Sequence, residues 1–419
     1  MSRQQSKSPD LKSPSVLGGA MIIAGTAVGA GMFSLPVVSS GMWFAWSSLF
    51  MLITWFCMFH SSLMILEANL HYPVGSSFDT FVRGILGRGW NLVNGISIAF
   101  VLYIVTYAYI SGGSSIVIHT LESLFGAAPT PAISSLLFAI PLAFIVSLNT
   151  TAVSRIVTLL LVAMVLTFFI AIADLAVSIT PAVLFNTEGK NAQYFPFVFA
   201  ALPFFMTSFG FHGNVPSLVK YYGKEPLKIR SCLLYGSLLS LVIFLLWQAS
   251  TLGNIARPDF KQVVADGGNI GVLVAALSSV SSGKSMGTLL NLFANFAIIS
   301  SFLGVTLGLF DYLADLFKFD DSPAGRTKTA LVTFAPPTLG GVFFPDGFLY
   351  AIGFAGLAAT LLGGIIPALM VKKSRSRFKK SQYRVWGGNK LVYLVILYSV
   401  IVASCHILAL LGWLPVYGK

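Results

Sequence analysis

The chain has 419 residues, 56% of them hydrophobic and only 10% charged, with a formal net charge of +12, whereas soluble domains are about 25% charged. With a mean hydropathy of +0.84, the composition excludes a soluble domain and identifies an integral membrane protein. The positive charge points to a membrane surface and not to nucleic acid, because the basic residues fall between apolar runs instead of on one compact face.

In chain order, a polar, basic tail at 1–15 carries Arg3, Lys7 and Lys12, and the apolar run behind it is too long for a cleavable signal. A membrane span needs roughly 17 to 25 mostly apolar residues, and about eleven are predicted. They lie at 16–38, 43–66, 90–118, 133–148, 155–178, 194–218, 232–254, 286–317, 327–344, 348–371 and 391–413. The loop at 255–285 contains a helix-length segment, 270–279, too short to span. The loop at 372–390 is a basic patch that suits anionic lipid. Eleven spans place Lys190, Arg257, Lys261, Lys284 and Lys419 on one side and the rest of the 26 basic residues on the side of the amino terminus. That asymmetry predicts a cytoplasmic amino terminus. Cys57, Cys232 and Cys405 sit in apolar runs and read as packing residues.

The first span contains the stretch IIAGTAVGAGMFSLP, residues 22–36, and the sixth contains FFMTSFGFHGNVPSL, residues 204–218. Gly25 and Gly29 alone would read as a helix-packing seam. The second interruption, with Gly210, Gly213, Ser208, His212, Asn214 and Pro216 at mid-membrane depth, changes that reading. Paired interruptions at corresponding positions of two halves point to a transporter's binding site. The second comes five helices after the first, an odd step, so they enter from opposite sides and the halves, 16–178 and 194–371, are inverted in topology, with 391–413 appended. An unwound segment survives in lipid only where protein, water or ligand completes its hydrogen bonds. The half-helix amino end it exposes attracts a carboxylate, each such contact contributing about 0.3 to 1 kcal/mol, while unwound carbonyls hold an ammonium. A zwitterionic amino acid fits both.

The stretches AGTAVGAGMFSLP, MILEANLHYPVGSSFDTF, FVLYIVTYAYIS, SFGFHGNVPS and SSFLGVTLGLFDYLADLF resemble the bacterial hydroxy and aromatic amino acid permeases, over about residues 16–415. The resemblance implies an all-α, leucine-transporter-like five-plus-five inverted repeat with broken helices 1 and 6. It also implies proton-coupled import of an aromatic amino acid, tryptophan foremost, in the bacterial cytoplasmic membrane. By analogy with that fold, the carboxylate meets the amides around Gly29, Ala30 and Gly31, and the amine meets carbonyls near Ser208 and Phe209 with Thr26 beside them. Proton-coupled relatives often place a lysine in span five, where this chain has Met164, so that mechanism is in doubt here.

Tyr103 and Tyr107 are spaced i, i+4 and share one helix face, which either stacks on an aromatic ligand or packs in the bundle. Phe209 and Phe211 flank Gly210 and are candidates for the aromatic pocket. An indole N–H needs an acceptor; Asn214, Ser208 and Ser301 are all eligible. His212 titrates nearest neutrality of the groups in the breaks and is a candidate proton or substrate ligand, or a neutral group fixing the break. Ser300 and Ser301 are candidates for an ion position in span eight. Asp311 and Asp315, also i, i+4, are candidate gate residues. Glu67 and Asp174 are expected at the interfaces. His60, His119 and His406 are scattered, so no metal and no cofactor are expected. A membrane enzyme would cluster catalytic or metal-binding groups, which this sequence lacks, and a channel or sensor would need no paired breaks. Sodium coupling stays open as an alternative within the transporter class. Continuous helix through both stretches would leave only the packing explanation.

Overall fold

The computed structural model describes residues 15–148, 150–189, 192–280, 284–378 and 380–418. The tail at 1–14 and Lys190, Lys379 and Lys419 lie outside them. The described residues are helical, without strands. The first interrupted run divides into α1 (Val16–Ala27) and α2 (Ser34–Ser39), joined through a 3-10 turn at Ala30–Phe33 and bent by 51°. Ser15 opens α1, its hydroxyl accepting from the Gly18 amide at 3.2 Å and so satisfying a donor the first turn leaves free.

There follow α3 (Trp43–Asn69), the short amphipathic α4 (Phe78–Leu86), α5 (Arg88–Phe125), α6 (Pro131–Leu148), α7 (Thr150–Val177) and the single turn α8 (Pro181–Leu184). The second interrupted run is α9 (Val198–Ser208) and α10 (Val215–Tyr222). Then come α11 (Pro226–Leu252), α12 (Phe260–Ala265), α13 (Ile270–Val280), α14 (Lys284–Phe317), α15 (Pro323–Phe343), α16 (Phe348–Thr360), α17 (Ile366–Arg377) and α18 (Gly388–Leu410).

Nine helical stretches among the described residues are long and apolar enough to cross a membrane, and the bent α1–α2 pair makes ten. The predicted span that this leaves out, 327–344 and ninth in chain order, corresponds to α15, a 21-residue helix whose Lys328, Thr329, Thr333, Pro336 and Pro337 leave it short of that apolarity. Leu92, Ile96, Leu159, Leu166 and Ile170 stand exposed on the outside of the bundle, as suits side chains facing hydrocarbon. The helices pack in duplicate: α1 lies on α11 as α9 lies on α3, α7 on α14 as α5 on α16, and α5 on α6 as α14 on α15.

Two features depart from expectation. Between α16 and α17 the helix widens into a π-helical turn at Leu361–Ile365, where the Ser61 hydroxyl donates to the Gly363 carbonyl. From there α17 runs on to Arg377, so the predicted basic loop begins as helix. Glu67, expected at an interface, is fully buried. Its two carboxylate oxygens accept from Arg375 Nε at 2.7 Å and Nη2 at 2.8 Å, and the Val385 amide donates to Oε2 at 2.8 Å. The fork of a guanidinium matches a carboxylate in this bidentate way, which draws α17 back onto the end of α3.

Removing one partner of such a buried pair leaves an uncompensated charge, a loss of about 3 to 5 kcal/mol. Glu67→Ala and Arg375→Ala should each sharply lower the thermal midpoint of the detergent-solubilised protein, and the double variant should lose less than the two single losses added together. Additive losses would show that the pair contributes no coupling.

Candidate functional site

Both breaks open onto one cavity of about 530 Å³. Its wall draws on α1 and the first break (Gly25, Thr26, Gly29, Gly31), on α9 and the second break (Thr207, Ser208, Gly210, Asn214), and on α5, α7, α14 and α16. From the breaks the cavity runs toward the end of the bundle that holds the amino terminus, past Val101, Val157 and Gly308. In the other direction the bundle is filled by aromatic rings. Phe33 meets Trp247 and Phe293 at centroid distances of 5.3 and 5.2 Å, and Phe293 meets Phe168 at 5.4 Å.

At the first break α1 ends at Ala27, and Val28 and Gly29 are extended. The Ala30 amide donates to Ser301 Oγ of α14 at 3.0 Å. A Cβ at Gly29 would fall 2.6 Å from that same oxygen, whereas at Gly25 and Gly31 it would meet open space. Gly29 is thus glycine so that the unwound chain can press against α14; Gly31 keeps the cavity clear. The Gly29 and Gly31 amides have no backbone acceptor among the described residues, which leaves two donors at the amino end of a half-helix, the arrangement that holds anions. At the second break the Gly210 amide turns back to the Thr207 carbonyl and Phe211 to Phe209, each at 3.0 Å. The two breaks touch through Asn214 Nδ2, which donates to Thr26 Oγ1 at 2.6 Å.

Of the residues singled out in the sequence, Thr26, Gly29, Gly31, Ser208, Asn214, Ser300 and Ser301 line the cavity. Ala30 is buried and its amide already engaged. Tyr103 and Tyr107 are turned away, their hydroxyls donating to the Val332 and Phe344 carbonyls at 2.8 and 2.7 Å; the tyrosine that lines the cavity is Tyr109, bonded to Ser301. Phe209 and Phe211 point into the protein, against Phe244 and His212 respectively. His212 is 5% exposed. Its ring sits behind the break beside the Gly363 π-turn, with the backbone at Met58 and Phe209 within reach of its nitrogens. Met164 is buried in α7. Asp311 and Asp315 are exposed one and two turns beyond Gly308 and form no ion pair among the described residues. No cluster that could hold a metal occurs among the described residues.

Sequence reasoning missed the aliphatic wall, Val101, Leu102, Val105, Val157 and Leu161. One readable signal was the column Ser300, Ser301, Gly304 and Gly308, small residues at helical spacing on α14.

The chain matches the tryptophan/tyrosine permease family over residues 12–406. It is similar to a tryptophan-specific transport protein of Pseudomonas aeruginosa (strain UCBPP-PA14), 57% identical over all of both chains. It is also similar to one of Shigella flexneri, 56% identical over 97% of this chain and 98% of that one. A tyrosine permease of Enterobacter agglomerans is 40% identical over 97% of this chain and 99% of that one.

The three native cysteines are buried, so introduced thiols report cleanly. Thr26→Cys and Gly308→Cys should react with a water-soluble maleimide, while Phe209→Cys stays unlabelled in the folded protein. Labelling of Phe209→Cys at the rate of Thr26→Cys would overturn the placement of the cavity wall.

Proposed function

The chain belongs to the tryptophan/tyrosine permease family and is a multi-pass membrane transport protein, not an enzyme, and from that premise we propose that it imports tryptophan by proton symport with alternating access. The observation that carries the proposal is the meeting of two interrupted helices, one from each half, across a single cavity with two unengaged amides at Gly29 and Gly31. Those amides take the substrate carboxylate, and Ser301 fixes their position by holding Ala30 between them. The unwound carbonyls near Ser208, together with the Thr26–Asn214 pair, receive the ammonium. The aromatic ring lies against Val101, Val105, Leu161 and Tyr109. The volume falls within the roughly 300 to 1,000 Å³ range of small-molecule sites.

The duplicated packing of α1 on α11 and α9 on α3 supports the five-plus-five inverted repeat, with α15 as its ninth span. The open passage on one side and the aromatic plug on the other are what one state of an alternating-access cycle requires. The distribution of basic residues supports a cytoplasmic amino terminus in the bacterial inner membrane, with the 372–390 segment against anionic lipid. In that orientation the cavity opens to the cytoplasm.

The proton has few carriers. Among the described residues Tyr109 is the only one with a titratable side chain on the cavity wall, and its reference pKa near 10 makes it a poor one. His212, buried directly behind the second break against the backbone at Met58 and Phe209, is the better carrier. One proton crossing 100 mV releases about 2.3 kcal/mol, enough for roughly fifty-fold accumulation at 1.4 kcal/mol per tenfold. The tyrosine permease relative favours tyrosine as a second substrate.

Proteoliposomes given an inward proton gradient should accumulate tryptophan, and unlabelled tryptophan should compete better than tyrosine, phenylalanine or serine. Uptake that follows sodium at constant pH, or tryptophan that fails to compete, would reject the proposal. His212→Gln should abolish gradient-driven accumulation and spare exchange of tryptophan for tryptophan; accumulation that survives in it removes His212 from the coupling.

Gly29→Ala should weaken tryptophan binding by about 1 to 3 kcal/mol through overpacking. Because Ser301 Cβ lies 3.7 Å from the added carbon, an ordinary contact, Ser301→Ala should relieve the clash in the double variant. Measured binding losses that simply add would show that Gly29 and Ser301 do not act on each other.

A further inference from the structure

A second cavity, about 320 Å³, lies on a different face of α16 from the first and nearer the start of α9. On α16, Ile352, Ala355 and Ala359 line the first cavity, and Leu349, Tyr350 and Gly353 line the second. On α9, Thr207 and Ser208 face the first and Phe204 the second. The remaining wall comes from Val37 and Val38 of α2, from α12, and from α18 with the segment after it. No residue of α5, α7 or α14 reaches it, so it stands apart from the passage already described.

Its chemistry is specific. The wall holds one acid, Asp346, and no lysine or arginine. Asp346 is exposed at the rim, and its Oδ1 accepts from Asn269 Nδ2 at 3.0 Å, which orients the carboxylate. His406, only 5% exposed, also lines the cavity, and its Nε2 has no hydrogen-bond partner. A buried polar atom left unpaired costs free energy that a bound group can recover. The rest of the wall is largely apolar and aromatic, with Val37, Phe204, Leu349 and Leu410 beside the hydroxyl-bearing Ser40, Tyr350 and Tyr417.

We propose that this second cavity binds an aromatic amine, its ammonium on Asp346, its ring between α9 and α16, and a polar ring atom on His406. Such a molecule lacks the carboxylate that the amides of the first break are placed to take, so the two cavities select different ligands. The site needs no transport to be occupied. A ligand here wedges α2 and α9 against α16 and α18; resting on the alternating-access reading, its effect on uptake is to slow turnover without raising the substrate concentration needed.

Tryptamine is the probe, and calorimetry on the purified full chain is the readout, with and without saturating tryptophan. Tryptamine should bind in both conditions with the same affinity. Asp346→Asn should weaken it by about tenfold or more, as expected for loss of a hydrogen bond to a charged group. Leu349→Trp, which fills the cavity, should abolish tryptamine binding and leave tryptophan binding unchanged. Displacement of tryptamine by tryptophan would place it in the first cavity and overturn the proposal, as would absence of binding to the wild-type chain or affinity untouched by both substitutions. A chain that binds tryptamine in this pattern but no tryptophan would sink the transport reading and leave the second site standing.

Discussion

The structure depends on one constraint: inside hydrocarbon, an amide or carbonyl released from a helix must find another partner. Two runs of this chain release them, and each release is answered locally. A 3-10 turn re-engages Met32 with Gly29 at 3.0 Å, another re-engages Asn214 with Phe211 at 3.1 Å, and Ser301 answers Ala30 from α14. What is left unanswered, at Gly29 and Gly31, faces the cavity. The site is therefore the remainder of a hydrogen-bond account that the rest of the fold balances. The same logic explains Arg257, whose guanidinium donates to the Ser40, Gly41 and Gln193 carbonyls where α2 turns into α3.

The bilayer makes some of this legible in a single sequence. A spanning helix must be long and apolar, so α3, α14 and α18 stand within three residues of their predicted bounds, and glycine or proline in such a run marks a break because little else tolerates it. Which way a side chain points is another matter. The i, i+4 spacing of Tyr103 and Tyr107 correctly put them on one face but could not say that the face belongs to α15; Tyr109, about 200° further round, looks inward. Phe209 and Phe211 were next to the right glycine and turn the other way because the break, not helical periodicity, sets their direction. The Glu67–Arg375 pair was illegible for a different reason: its members lie 308 residues apart, and nothing local distinguishes a paired acid from a solvated one. The π-turn at Leu361–Ile365 is likewise set by contact with α3, through Ser61.

Around the second break these unforeseen features converge. His212 stacks on Phe211 at 5.1 Å and lies against the Gly363 backbone, so the unwound chain rests on the one place where the α16–α17 helix is itself irregular. A π-turn is a register that a helix can surrender, and irregular segments of this kind recur at functional sites. Two faces of α16 also border the two cavities described above, so this helix adjoins both a passage and a pocket.

The buried carboxylate of Glu67 also bears on how the protein is made. During synthesis the end of α3 is complete more than three hundred residues before Arg375 exists, and throughout that interval the acid has no guanidinium to receive. The amino-terminal half must therefore wait, with this corner hydrated or held open, until α17 arrives. A ribosome that stops short of α17 leaves behind a chain marked as unfinished by one unpaired charge.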